Sequence, residues 1–351
     1  MSDKKLKILY AVQGTGNGHI TRAIEIIPYL QKKGEVDILV SGIQSDIELP
    51  FPVKYKFNGL SFIFGKQGGI DIWRTYWKLN SRRLLKDINE LPIHKYDVII
   101  SDFEPVSCWA AIKAKKICIG LSNQVATLHP LAPKPQKSDL LGKLVLQNYA
   151  PATYNYGFHF KNLDNNIFTP VIRKEIREAK ITNNGHYVVY LPSYDDERIL
   201  KHLKKFEKVE WIVFSKHNKK KKKFKNITIM PINKDLFLRN IVSCEGILCN
   251  AGFGTTSEAL FLKKKLLVIP MKKQYEQHCN AAMLESMGVP VMKSLKSKHM
   301  HKISEWLRNK KTVEVNYPDI TQQIVDTIIE NHAGKKPLDT HLESAHYTLF
   351  Q

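Results

Sequence analysis

The chain has 351 residues, 43% hydrophobic and 25% charged, with 54 Lys and Arg against 33 Asp and Glu, a formal net charge of +21. That is a soluble globular composition too long for one ordinary core, so two domains are expected, and no run approaches the ~20 apolar residues that span a bilayer. Five scattered cysteines, at 108, 118, 244, 249 and 279, show no metal-site spacing and read as reduced, buried thiols, while the basic balance favours nucleic acid, anionic lipid or phosphorylated partners.

Leu6–Val12 ends in Gln13-Gly-Thr-Gly-Asn-Gly18, and its apolar run Ile8–Val12 is too short for a signal-peptide core, so it reads as a first strand in a protein that stays in the cytoplasm. A helix is predicted from Ile20 to Lys32, with Ile20, Ile24, Ile27 and Leu30 on one face. Gly34 stops it and Val36–Val40 is the next strand. Val98–Ser101 and Ile117–Leu121 are further strands around a helix over Val106–Lys115. Residues 129–165 look irregular. A second series then begins: strands at Tyr187–Leu191, Trp211–Ser215, Ile227–Met230, Gly246–Cys249 and Leu266–Pro270. Its helices fall at Asp196–Lys205, from near Thr255 to Phe261, at Gln277–Met287, Ile303–Leu307 and Ile320–Asn331. Apolar runs alternating with helices argue for parallel sheets, hence an α/β chain of two Rossmann-like domains, residues 1–165 and 166–331, with a tail at 332–351. Ligands in open parallel sheets sit outside the carboxyl ends of the strands, which predicts a site in a central cleft that the two domains face.

The loop Gly14-Thr-Gly-Asn-Gly-His19 joins strand to helix. Gly14, Gly16 and Gly18 permit close backbone approach, and with Asn17 they line the start of a helix whose N–H groups favour developing negative charge. The spacing is neither a P-loop nor G-x-G-x-x-G. His19 is expected to be exposed at the tip, where imidazole suits a general base. Asp102 or Glu104, at the end of a strand of the same sheet, would orient its ring; each is equally a helix N-cap ahead of Val106.

The second glycine turn is Cys249-Asn-Ala-Gly-Phe-Gly-Thr-Thr-Ser-Glu-Ala-Leu260. Gly252, Gly254, Thr255 and Thr256 would offer N–H groups and hydroxyls to a diphosphate, and Glu258 would accept from ribose hydroxyls. Glu276 and Gln277 open a helix and suit sugar hydroxyls, or simply cap it.

Residues 226–288 now resemble the donor domain of GT-B glycosyltransferases, in particular the UDP-glycosyltransferases and the peptidoglycan lipid-intermediate N-acetylglucosaminyltransferase. The resemblance rests on Ile227-Thr-Ile-Met-Pro-Ile232, the Asn250–Leu260 turn, Val268-Ile-Pro270, and Glu276-Gln277 with Asn280. The His19 loop resembles the family's acceptor-side loop. The resemblance implies that the backbone of Ile232 meets the base, that Ser193 approaches the phosphates, and that Gly252, Gly254, Thr255 and Thr256 hold the diphosphate. It implies ribose on Glu258, donor sugar on Glu276 and Gln277, extra charge from Arg173, and His19 deprotonating the acceptor hydroxyl with inversion. Two departures stand out: Asp195 and Asp196 follow Ser193 where glycines are common, and Glu276 stands where relatives carry Asp or Gln. No Asp-x-Asp triplet is present, so no metal and no cofactor beyond the nucleotide-sugar donor is expected; the paired glutamates of retaining relatives are absent too.

Ile72–Leu79, with Arg82 and Arg83, mixes aromatics and cations: an amphipathic helix with Trp73, Tyr76 and Trp77 in the core, a membrane-surface segment, or the lining of an acceptor cleft. Lys219–Lys223 reads as a solvated loop that can hold the enzyme near anionic lipid, peripherally at the inner face of the membrane. The implied partners are the donor and a hydroxyl acceptor, lipid-linked or of the cell envelope. Two alternatives remain: a UDP-N-acetylglucosamine 2-epimerase, whose extra Arg and Glu motifs are not evident, and a non-catalytic nucleic-acid binder, for which no module is visible and no nucleic acid is expected.

Overall fold

The computed structural model describes residues 5–42, 48–59, 82–136, 139–272 and 274–335. The aromatic-basic segment at 72–79 and most of the C-terminal tail lie outside them. The chain forms two compact units, one drawn from Met1–Pro130, Leu140–Val171 and Asp319–Gln351, the other from Leu131–Asp139 and Ile172–Pro318. By this division residues 166–171 and the closing helix go with the first unit, and residues 131–139 with the second.

In the first unit, β1 (Leu6–Gln13) leads through the glycine loop into α1 (Asn17–Lys33), and α1 passes directly into β2 (Gly34–Ser41). A Cβ at Gly34 would lie 2.3 Å from the Leu6 carbonyl oxygen, so only glycine lets β2 close onto β1. After β3 (Tyr55–Phe57) and a helix over residues 82–90 (α2) come β4 (Val98–Asp102), α3 (Pro105–Lys113), β5 (Ile119–Ser122) and α4 (Asn123–Leu128). The stretch expected to be irregular instead holds α5 (Leu140–Tyr149) and β6 (Tyr154–Phe158), and the short β7 (Ile167–Phe168) follows it. Its mixed polar and aromatic strand, Tyr-Asn-Tyr-Gly-Phe, lacks the continuous apolar character that marks the central strands. The sheet order is β3-β2-β1-β4-β5-β6-β7, all parallel. The order reverses between β1 and β4, which opens a crevice at their carboxyl ends.

The second unit continues with α6 (Lys174–Arg177), β8 (Tyr187–Tyr190), α7 (Asp196–Leu203), β9 (Trp211–Ser215), β10 (Lys222–Phe224) and β11 (Ile227–Pro231). Then follow α8 (Lys234–Ser243), β12 (Gly246–Cys249), α9 (Phe253–Phe261), β13 (Lys265–Val268), α10 (Tyr275–Ser286) and α11 (Met300–Arg308). The order β10-β11-β9-β8-β12-β13 is parallel except for the antiparallel β10, and it reverses between β8 and β12. Trp211, Ile199, Leu203, Ile303 and Trp306 join one buried cluster under α7 and α11. The lysine run expected as a loop ends in a strand: Lys222 and Lys223 lie in β10, where edge position and charge block pairing with other chains. Finally α12 (Thr321–His332) returns to the first unit, where it packs on α1 and Asp326 pairs with Lys33 at 2.7 Å.

All five cysteines are free and buried. Among the described residues, no helix is long and apolar enough to cross a membrane.

Candidate functional site

The crevice of the first unit is built by β1, β4 and the start of α1. Parallel pairing sets Val12 opposite Asp102, so the residues following β1 and the last residue of β4 meet at one sheet edge. Gly16, at φ +97°, turns the chain into α1 three residues earlier than the apolar pattern suggests. His19 thus lies inside the first helical turn and is 9% exposed, not at an open loop tip. A Cβ at Gly14 would meet Val40 and the Ser41 carbonyl, whereas Gly16 and Gly18 have nothing within 4 Å.

His19 Nδ1 lies 2.8 Å from Asp102 Oδ1. Arg22, one turn along α1, donates Nε to Asp102 Oδ2 at 2.9 Å, reaches Oδ1 with a second nitrogen, and places that nitrogen 3.1 Å from His19 Nδ1. Its remaining nitrogen donates to Asn123 Oδ1 at 3.2 Å, and the Phe158 ring lies 5.2 Å beneath the guanidinium. Gln124 Nε2 is 3.4 Å from His19 Nε2. Burial alone pushes the Asp102 carboxyl up; Arg22 and His19 outweigh it and hold the carboxyl below its ordinary range. A fully buried carboxylate is therefore kept ionised beside an imidazole.

Glu104 takes the other role that sequence left open. Its carboxylate accepts from the backbone of Val106 (2.8 Å) and Ser107 (2.6 Å), capping α3, and from the Ser41 hydroxyl. Phe103, at φ +55°, reverses the chain between the two acids and separates their tasks. Burial pushes the Glu104 carboxyl up, and these hydrogen bonds offset only part of it. Arg22 escaped the sequence reading, although its position three residues after His19 puts both on one helix face.

In the second unit, β8 and β12 carry the turns at the reversal. Ser193 donates to Asn250 Oδ1 at 3.1 Å, and Asn250 Nδ2 donates to the Ile269 carbonyl at 2.7 Å, tying three strand ends together. Gly252 caps α9, and an added Cβ at Gly252 or Gly254 would meet nothing within 4 Å. The first-turn N–H groups of α9 thus open beside free space, with the positive end of the helix dipole behind them. Thr255 is half-buried. Thr256 is not available as expected: it is fully buried and its hydroxyl bonds back to the carbonyls of Gly252 (2.7 Å) and Phe253 (3.1 Å).

Glu258 is gripped by Arg173 in a bidentate pair, Nε to Oε1 at 2.5 Å and a second nitrogen to Oε2 at 2.8 Å. Arg173 is therefore engaged by a carboxylate and not held ready for phosphate, while each Glu258 oxygen keeps a further lone pair. Gln277, expected to hold sugar, is 7% exposed and accepts from the Met271 N–H at 3.0 Å. Asn280 donates to the Ala251 carbonyl at 3.0 Å, bracing the glycine turn from α10. Glu276, in the first turn of α10, and Ile232, just past β11, are half-buried. Asp195 caps α7 through the Arg198 N–H at 2.7 Å, and Asp196 accepts from Asn218. Both acids that broke the resemblance are thus engaged locally.

The family described as Glycosyl transferase family 1 matches residues 6–310. No curated protein matches the chain. Among solved structures, it is similar to a UDP-glucosyltransferase from Polygonum tinctorium, with TM-score 0.60 and 12% identity over 98% of both chains. A Phytolacca americana UGT2 complexed with UDP-2fluoro-glucose and pterostilbene gives 0.59 and 12%, over 95% of each chain. SnogD, a glycosyltransferase from Streptomyces nogalater, gives 0.53 and 11%, over 95% of this chain and 96% of that one. Identities this low speak for the fold alone, the GT-B pair of Rossmann-like domains.

Proposed function

The chain belongs to glycosyl transferase family 1 and is a glycosyltransferase; from that premise we propose that it moves a sugar from a UDP-sugar to a hydroxyl acceptor in the cytoplasm, with inversion and without metal or cofactor. The observation that carries this is the 2.8 Å contact of His19 Nδ1 with a buried, Arg22-paired Asp102. With its proton on Nδ1 facing the carboxylate, the ring keeps a lone pair on Nε2 for a substrate proton.

In the step proposed, the acceptor O–H gives its proton to His19 Nε2. Its oxygen bonds to the anomeric carbon opposite the leaving group. The bond from that carbon to the diphosphate breaks, and its electron pair leaves with UDP, so a single displacement inverts the centre. Asp102 stabilises the imidazolium that forms. The N–H groups of Gly252, Gly254 and Thr255 and the α9 dipole stabilise the charge on the diphosphate. The lack of an Asp-x-Asp triplet supports a metal-free route. Glu258, held by Arg173, accepts from the ribose, Ser193 and the Ile232 backbone contact phosphate and base, and Glu276 contacts the sugar. The proposed acceptor is a lipid-linked or cell-envelope glycan, a reading supported by the basic charge and by Leu140, Leu141 and Leu144 on α5, each about half or more exposed.

A thermal-shift panel of nucleoside diphosphates and nucleotide sugars in EDTA tests this. A UDP-sugar at 100 times its Kd adds ~2.7 kcal/mol to the folded state, a rise of roughly 5–10 °C for a unit of this size. No response to any uridine nucleotide would overturn the donor assignment. A response only with Mg²⁺ would overturn metal independence.

A further inference from the structure

The net charge is not spread evenly. Between residues 201 and 225 stand eleven lysines against Glu207 and Glu210. Between 293 and 311 stand six lysines and Arg308 against Glu305. These two stretches, an eighth of the chain, carry fifteen of its twenty-one net positive charges.

The fold joins them into one face. α7 is the centre. On one side the β9–β10 connection is tied to the start of α7 where Asn218 bonds Asp196, and past β10 Asn226 donates to the carbonyls of Phe206 (2.9 Å) and Val209 (2.7 Å) in the segment that follows α7. On the other side Arg198 donates to the Leu295 carbonyl at 3.0 Å, and a cavity of about 520 Å³ is lined by Lys201, His202 and Lys296 together with the acids Asp195 and Glu197 at the start of α7. The apolar sides of α7 and α11 share the core beneath. All eleven lysines of the first stretch are exposed, as are Lys293, Lys296, Lys298, Arg308, Lys310 and Lys311. Among the described residues no carboxylate lies within ion-pair distance of any of them. Repulsion among so many like charges opposes the folded state, and a partner of opposite sign relieves it.

We propose that this face of the second unit, formed by α7, the β9–β10 connection with the edge strand β10, and the 293–311 segment, binds an anionic bilayer surface. The charge is borne by lysines, flexible point charges suited to a fluid sheet of headgroups, and the one arginine beside the cavity, Arg198, is spent on a backbone carbonyl. Within the strip the exposed large apolar side chain is Phe224, 44% exposed between Lys223 and Lys225, placed to enter the headgroup layer. A nucleic-acid groove would pair such cations with rows of stacking aromatics or arginine forks, which this face does not present. The inference goes beyond sugar transfer and holds whichever donor or acceptor is used.

Co-sedimentation of the full chain with phosphatidylcholine vesicles, with and without 30% phosphatidylglycerol, tests it (about 0.1 M salt). Each lysine at such a surface contributes ~1 kcal/mol, so the triple variant Lys219→Gln, Lys220→Gln, Lys221→Gln should lose binding on the order of 100-fold. A second triple, Lys201→Gln, Lys204→Gln, Lys205→Gln, should lose as much. A control triple of equal charge in the first unit, Lys56→Gln, Lys95→Gln, Lys161→Gln, should change binding little. Absence of binding to the anionic vesicles overturns the proposal. So does equal loss in the control, which would make the effect one of net charge alone. Tighter binding to a generic DNA duplex than to the vesicles would transfer the face to nucleic acid and overturn it as well.

Discussion

Asp102→Asn isolates the arrangement on which the proposed base depends. The side chain keeps its shape, but one of its two acceptor oxygens becomes a donor. Three donor contacts converge on Asp102 in the native protein, from His19 Nδ1 and two Arg22 nitrogens, at a site with no solvent exposure. Asn satisfies at most part of them, and it removes the carboxylate charge that the buried Arg22 guanidinium pairs with. Removing one partner of a buried pair costs about 3–5 kcal/mol, and the retained amide oxygen recovers a fraction, so a loss of about 2–4 kcal/mol is expected. The transition of the first unit should fall by roughly 4–16 °C. Turnover should suffer independently. An amide N–H or the nearby Arg22 nitrogen now faces His19 Nδ1, the ring proton moves to Nε2, and the base is lost. General-base loss corresponds to ~10²–10⁴ in kcat, about 3–5 kcal/mol of barrier. Thermal denaturation and steady-state kinetics at a temperature well below the transition separate the two effects, and donor KM should hold. A variant with near-native kcat, or one that loses donor affinity and keeps kcat, would refute the reasoning.

Three further outcomes follow from the geometry. Gly34→Ala sets a methyl 2.3 Å from the Leu6 carbonyl, so β2 must part from β1; the thermal midpoint should drop by several degrees although φ there is ordinary extended backbone. Thr256→Val should lower stability by about 0.5–1.5 kcal/mol with donor KM unchanged, whereas Thr255→Val should raise donor KM with little change in stability; the reverse pattern would misplace the phosphate contacts. The two buried acids act oppositely with pH. Asp102, held low, stabilises fully above the ordinary carboxylate range and loses that contribution as pH falls through its folded-state value. Glu104, held high by burial, stabilises below that range and loses its contribution as pH rises through its raised value. Relative to the native protein, Glu104→Gln should therefore gain in melting temperature between pH 4 and 7, and a flat or falling difference would contradict the assignment.

What the sequence made legible were local signals. Leu6–Val12, the two glycine turns and the apolar runs of the second sheet carry their structure in a few adjacent residues, and both turns sit where the sheet orders reverse. The misses are tertiary. Asp102 and Glu104 are two residues apart, and only the left-handed Phe103 between them decides which meets His19. Arg173 and Glu258 are 85 residues apart, beyond any spacing rule. The sequence does not show that α9 begins at Phe253, which places the Thr256 hydroxyl over the preceding turn, where back-bonding claims it. β10 hid inside five lysines because edge strands are selected for charge rather than for apolar alternation.

Single-turnover kinetics of His19→Ala with a UDP-sugar, in EDTA, with water or a simple alcohol as acceptor, probes the base most directly. The account predicts transfer slowed by ~10²–10⁴ while the UDP-sugar still binds within about threefold of native affinity. Transfer at the native rate would show that the proton goes elsewhere, and the imidazole in the first turn of α1 would lose its place in the chemistry.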